Sequence, residues 1–212
     1  MQVNPAKLII ISSPSGAGKT SISRALVEKS DYFRLSISAT TRVKRLNETE
    51  AVDYFFKTKH DFDHMVKAHE FLEHAIVFEN SYGTPKDYIA QQLVRNINVV
   101  LDIDWQGANQ LRRSMTNDVV SVFILPPSAA ELMSRLVKRG QDSFDVIKKR
   151  IDGAFDEIKH WKEYDYIIIN DNLDDAYREL NSILVAERCK IGRSDNNQVY
   201  VKQLSNDLKK RL

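Results

Sequence analysis

The sequence carries a single cysteine, Cys189, so no disulfide can form within the chain, and a reducing compartment suits it. Cys189 falls in an amphipathic helical pattern and reads as a small core residue. The N-terminal apolar run spans only Leu8 to Ile11, too short for a signal-peptide core or a membrane span. A soluble, cytoplasmic protein with no membrane partner is expected. An excess of one charge is also missing: the formal net charge is +2, without the basic field that marks nucleic-acid binders, so no nucleic-acid partner is expected. Internal repeats and low-complexity linkers are absent, and 212 residues suit one compact unit with a substantial core.

What is present begins at Leu8 to Thr20, LIIISSPSGAGKT, where an apolar β-type run feeds a loop of small residues ending in Gly-Lys-Thr. This is the pattern of a phosphate-binding loop formed by Ser13, Pro14, Ser15, Gly16, Ala17, Gly18, Lys19 and Thr20. Lacking Cβ atoms, Gly16 and Gly18 can turn successive amides toward a polyphosphate. Lys19 would reach the β and γ phosphates, Thr20 would offer its hydroxyl to magnesium, and the helix opening there would set its positive end against the anion. The first consensus position is Ser13 rather than glycine, and an ordinary glycine-containing turn is the plain alternative.

Reading forward, Thr20 to Ser30 has helical spacing, Phe33 to Ser38 (FRLSIS) alternates like a strand, and a polar stretch runs on to Val52. Short pieces follow: a strand at Asp53 to Phe56, a helix at Phe62 to Ala68 and a strand at Phe71 to Val77, together resembling an inserted subdomain. A helix is expected from Thr84-Pro85 to about Asn96, with Thr84 as N-cap and Pro85 in the first turn. Asn98 to Ile103, Val119 to Leu125 and Tyr166 to Ile169 read as core strands, Ser128 to Arg139 and Leu173 to Ile191 as helices. An arginine-rich segment separates the last strand from the helix before it, and from Gly192 the chain turns polar. Strands alternating with helices predict an α/β unit with a mostly parallel sheet.

Two further features bear on chemistry. Asp102 and Asp104 stand at the carboxyl end of a core strand, where phosphate-loop folds hold magnesium on an acid; a cap or turn role is the alternative, more so for Asp104. Arg42 and Arg45 lie three apart in a stretch rich in hydroxyl groups, and guanidinium planes match a phosphate with paired bonds. With Ser38, Tyr54, Glu73, Tyr82 and Thr84 in the same inserted region, they could hold one nucleoside monophosphate.

The ordered set SSPSGAGKTS, SISATTR with Arg45 three residues on, DYFF, FLEHAIVFENSYGTP, LDIDWQG, FILPPS, RLVKRGQDS and YDYIIINDNLDDAY resembles the guanylate kinase family up to about residue 192. The resemblance implies a P-loop kinase fold with a mostly parallel core sheet (residues 1–36, 89–125 and 159–193), an inserted GMP-binding subdomain (37–88), a lid (126–158) and a polar tail (194–212). It implies ATP-dependent phosphorylation of GMP, and of dGMP, to the diphosphate, with Mg2+ accompanying ATP, in a monomer or homodimer. Carried over, Ser38, Arg42, Arg45, Tyr54 and Tyr82 resemble ligands of the GMP phosphate, and Glu73 and Thr84 the guanine readers. Lys19 and Thr20 resemble the ATP and magnesium residues, and Asp102 a residue of the metal and arginine network. Arg135, Arg139 and Arg150 resemble cations beside the transferred phosphoryl group, and Asn170 a position near the ATP base. Two departures stand out: Val43-Lys44-Arg45-Leu46-Asn47 lacks the prolines and glycine common there, which predicts a less rigid loop, and Ser81 replaces an aromatic before Tyr82. Two rival readings are a silent phosphopeptide-binding domain and a phosphate-loop GTPase. The intact loop and the missing Asn-Lys-x-Asp motif oppose them.

Overall fold

The run Leu8–Ser12 becomes strand β1 and is buried at all five positions, as a continuous apolar stretch requires when both faces of a strand are covered. The computed structural model describes residues 7–77, 79–115, 119–138, 144–190 and 195–211. Helix α1 (Lys19–Glu28) leads from β1 to β2 (Phe33–Leu35) at one edge of the sheet. Strands β3 (Ala39–Thr40), β4 (Phe55–Phe56), β5 (Phe71–Val77) and β6 (Asn80–Pro85), with α2 (Lys59–Lys67), build a second, smaller sheet ordered β4-β3-β6-β5. The chain then returns to the main sheet through α3 (Lys86–Val94), β7 (Asn98–Asp102), α4 (Trp105–Ser114) and β8 (Val119–Leu125). Helices α5 (Ala129–Lys138) and α6 (Phe144–Ile158), a 3-10 turn, β9 (Tyr166–Ile169), α7 (Leu173–Cys189) and α8 (Asp195–Lys209) complete it.

The main sheet is ordered β2-β7-β1-β8-β9 with every pairing parallel. Alternation along β1 sends Ile9 and Ile11 to Ile22, Leu26 and Leu180 of α1 and α7. Leu8 and Ile10 point the other way, to Ile89, Ala108 and Leu111 of α3 and α4. Both faces are thereby covered and the carboxyl ends of the strands are left for function. The smaller sheet has a core of its own, Ala39, Phe62 and Phe71, in which the two phenylalanine rings stack with centroids 4.7 Å apart.

Several expectations need correction. FRLSIS is not one strand: β2 ends at Leu35, Ser36 N donates to Val100 O at 2.8 Å, and the chain then crosses to begin β3 in the other sheet. Thr84 does not cap a helix; it lies in β6, and Pro85 occupies the N-cap of α3. The segment NSYGTP carries no apolar alternation, so its pairing with β5 comes from tertiary context rather than from its own pattern. Helices α4, α6 and α8 arise where the sequence showed only an acidic turn, an arginine-rich segment and a polar tail. Cys189 is exposed, not a core residue.

Because Ile10 is wholly buried at the centre of the sheet, Ile10→Ala should cost about 2–5 kcal/mol. Urea unfolding should show a lower midpoint at an unchanged m value.

Candidate functional site

The loop after β1 is bent by Gly16 and Gly18, both at φ +93°, a left-handed conformation that glycine alone adopts without strain. Gly18 is also close-packed: a Cβ there would stand 2.3 Å from Asn170 Nδ2. Asn170 supports the loop from beneath, donating from Nδ2 to Ala17 O at 2.8 Å. Arg135 braces the same point, bonding Asn170 O at 3.1 Å and Ala17 O at 3.5 Å, while its Nε pairs with Glu131 at 2.7 Å. The loop is therefore shaped before any anion arrives, with the N-terminus of α1 behind it.

Parallel pairing of β1 with β7 places Ile11 opposite Asp102, which brings the acid to the end of the loop. Lys19 Nζ lies 2.6 Å from Asp102 Oδ1 and donates to Ile103 O at 3.2 Å, and Thr20 Oγ1 donates to Asp102 Oδ2 at 3.0 Å. Burial works against the charge on Lys19, but Asp102, with smaller help from Tyr54 and Glu157, outweighs it and holds the ammonium above its ordinary pKa. A hydroxyl and a carboxylate side by side suit a hard cation that completes its shell with phosphate and water oxygens. Among the described residues no cluster of three or more His, Cys, Asp or Glu gathers for a metal, so this pair would need those outside ligands.

Facing the loop across the cleft, the smaller sheet supplies a second set of cations. Arg42 lies over the Tyr54 ring at 5.3 Å, pairs with Glu48 at 2.6 Å and bonds Val43 O at 2.9 Å. Glu48 also accepts from Arg45 N at 2.8 Å, so one carboxylate clamps the loop that lacks prolines. Partial burial pushes the Glu48 carboxyl up, but its bonds from Arg42 and Arg45 hold it below the usual range. The Tyr54 and Tyr82 rings meet edge to face at 6.0 Å.

Glu73, on β5, ends the cleft on this side and is only 4 % exposed. Its Oε1 accepts from Thr84 Oγ1 at 2.6 Å. Burial pushes its carboxyl up to about 7, with the Thr84 bond and Lys19 offsetting part of the effect. Thr84 is wholly buried behind it and its one hydroxyl proton is engaged by Glu73. In this structure Thr84 therefore holds the carboxylate, rather than presenting its own proton to the cleft.

These groups line one cleft of about 740 Å3, in which Ser13, Pro14, Ser15, Gly16, Gly18, Lys19 and Thr20 form one wall with Asp102. Ser38, Arg42, Arg45, Tyr54, Glu73 and Tyr82 form the other, and Arg150 reaches in from α6. Ala17, Thr84, Asn170 and Arg135 stand behind the wall rather than in it, and Arg139 lies outside the described residues. Three more groups, Glu157, Asp53 and Glu48, are not singled out by the sequence. Glu157 of α6 accepts from Ser15 N at 2.9 Å, and burial raises its carboxyl. Asp53 pairs with Arg24 of α1 at 2.9 Å across the mouth of the cleft. For Asp104 the cap alternative holds: it accepts from Gly107 N at 3.0 Å at the start of α4. Glu48 stands three residues after Arg45, a spacing that could have disclosed it, whereas Glu157 gives no local signal.

Comparison with known proteins agrees with this geometry. A family model described as Guanylate kinase matches residues 5–187. A guanylate kinase of Nitrobacter hamburgensis is 50% identical over 201 residues, covering 95% of this chain and 92% of the relative. One from Rickettsia felis is 48% identical over 187 residues, covering 88% and 97%. The crystal structure of guanylate kinase from Anaplasma phagocytophilum superposes with a TM-score of 0.81 at 33% identity, covering 95% of this chain and 96% of that one.

The buried carboxylate gives the fold a pH signature. Because folding raises Glu73 from an ordinary 4.5 to about 7, the folded state binds the proton more tightly. That contribution is fully present below about pH 4.5 and is lost as pH rises to about 7, amounting to about 3 kcal/mol at most. Glu73→Gln should flatten the fall in unfolding free energy across that window, measured by denaturant titration at each pH.

Proposed function

The chain belongs to the guanylate kinase family, and we infer from that premise that the cleft transfers the γ-phosphoryl group of ATP to GMP, giving GDP and ADP. It is a nucleoside monophosphate kinase. The observation that carries the assignment of roles is the facing of two cationic sets across one cleft, Lys19 on the loop and Arg42 and Arg45 on the smaller sheet. The loop of residues 13–20 takes the ATP phosphates, with Lys19 at the β and γ positions. Ser38, Arg42, Arg45, Tyr54 and Tyr82 take the phosphate of the monophosphate, dGMP as well as GMP. Residues 37–88 act as the monophosphate-binding subdomain, and residues 126–158 as the lid.

Phosphoryl transfer asks the protein for alignment and charge neutralisation rather than covalent chemistry. The acceptor oxygen approaches the γ phosphorus in line and the bond to the β-side oxygen breaks. Lys19, Arg42 and Arg150 face the oxygens on which charge develops, joined by Arg135 and Arg139 as the lid arrives. Thr20 and Asp102 would hold magnesium, which would supply positive charge against the phosphates. Lys19 then exchanges Asp102 for phosphate. Closure only over both substrates keeps water from replacing the acceptor.

Guanine is read by the ionised Glu73, which accepts from N1–H and the 2-amino group. Those two donors replace the proton of Thr84, which turns to O6. Asn170 contributes by fixing the loop beside the ATP base. No helix among the described residues is long and apolar enough to cross a membrane; we place the enzyme in the cytoplasm, as a monomer or homodimer without nucleic-acid partners.

Lys19→Ala should lower kcat by roughly 10²–10³ or more, the scale of losing one preorganised charge at the transition state, while circular dichroism shows the fold retained. Parent-like turnover by the folded variant would overturn the role of the loop. Base choice gives the second check. AMP sets acceptor against acceptor at N1 and leaves Glu73 buried without its donors, so GMP should exceed AMP by roughly 10⁴-fold in kcat/KM. A coupled assay of both nucleotides that found them within about tenfold would remove guanine reading from this site.

A further inference from the structure

Gly107 lies in the first turn of α4 and outside the cleft, at a place where its backbone does not call for glycine. It is helical, and it is not among the described glycines with positive φ, which are Gly16 and Gly18. A glycine inside a helix costs about 1 kcal/mol relative to alanine. The reason for it lies opposite. A Cβ at Gly107 would stand 2.2 Å from Glu73 Oε2 and 2.8 Å from its Cδ, separations that real contacts do not tolerate.

Neither element can easily withdraw to make room. Gly107 N is held by the Asp104 cap. The same helix is fastened to the strand that bears Glu73: Gln110 donates to His74 O at 2.7 Å and accepts from His74 N at 3.2 Å, and Gln106 donates to Ile76 O at 3.2 Å. On its far side the carboxylate is fixed by Thr84 at 2.6 Å. Any atom added at Gly107 must therefore move the Glu73 carboxylate. We propose that Gly107 is a specificity-determining positioning residue: its missing side chain is the seat of Glu73 Oε2, and it sets where the acceptor meets the purine base.

This rests on the reading of Glu73 as the guanine acceptor, and the test separates the two. Gly107→Ala, Glu73→Gln, Glu73→Ala and the double variant Glu73→Ala/Gly107→Ala are compared with the parent, using GMP and IMP. IMP keeps N1–H and O6 but lacks the 2-amino group, so it draws on only one of the two acceptor contacts. Gly107→Ala should lower kcat/KM for GMP at least about tenfold and shrink the GMP-to-IMP ratio, the scale of one misplaced polar contact. The KM for ATP should stay within about twofold, because the loop is untouched. In the Glu73→Ala background the added methyl meets no carboxylate, so it should leave kcat/KM unchanged and should not lower the melting temperature, which helix propensity alone would raise by a few degrees.

Loss of GMP-to-IMP selectivity in Glu73→Gln, with Gly107→Ala as fast and selective as the parent, would overturn the seat alone. Parent-like selectivity in Glu73→Gln would overturn the acceptor reading and the seat with it. Should Gly107→Ala not fold, the melting temperature of the double variant decides: a value equal to or above that of Glu73→Ala supports a clash confined to Glu73, and a further drop refutes it.

Discussion

Lys19 and Thr20 both reach Asp102 because β1 and β7 lie parallel with Ile11 opposite Asp102. That register depends on two uninterrupted apolar strands, each covered on both faces, and a slip of one residue would turn every side chain of β7 to the other face. The acid would then point into a helix layer, and the loop would lose the partner that holds Lys19 extended. The chemistry at the carboxyl edge is in this sense a consequence of how Leu8–Ser12 and Asn98–Asp102 share the core.

Around that pair, the cleft is organised as matched charges. Lys19 has Asp102, Arg42 has Glu48 and Arg24 has Asp53, while the Ser15 amide has Glu157. Half-buried cations without partners would repel one another and be costly to desolvate. The carboxylates let the protein concentrate positive groups and still fold. They also hold those groups in extended, ordered positions, so that phosphates meet an arrangement already close to the one they need. The partnerships nearest the surface are cheap to exchange, since exposed ion pairs contribute little. Arg24 with Asp53, which joins α1 to the smaller sheet, is of this kind, its arginine side chain being more than half exposed.

How much of this was legible in the sequence depended on whether a residue's role was local. The strands Phe71–Val77, Val119–Leu125 and Tyr166–Ile169 are found where their apolar patterns put them, and the phosphate loop carries its mechanism in consecutive residues. Asn80–Pro85 was not legible as a strand because its pairing is supplied by β5 and β3. Thr84 looked like a helix cap, because a hydroxyl before proline is a local signal, and only the second sheet turns it toward Glu73. Glu157 is 142 residues from Ser15, and nothing short of the fold brings them together. Glycine at 107 was uninformative for the same reason: its meaning lies in what faces it.

The base pocket and the phosphate sites differ in how they are built, and the difference bears on function. Arg42 and Arg45 are carried on a loop with exposed flanks, Val43 at 84% and Leu46 at 101%, which the single carboxylate of Glu48 holds, so that one ion pair is all a phosphate has to replace. Glu73 has no such freedom: it is buried, bonded to Thr84, backed by Gly107 and carried on a strand fastened to α4. A selective acceptor gains from rigidity, because a carboxylate able to swing away could escape a mismatched base at little cost. A phosphoryl-transfer site gains from movement, since its charges must gather only after both substrates are in place. The discriminating group is thus packed between β6 and α4, while Arg42 and Arg45 sit on a loop with exposed flanks.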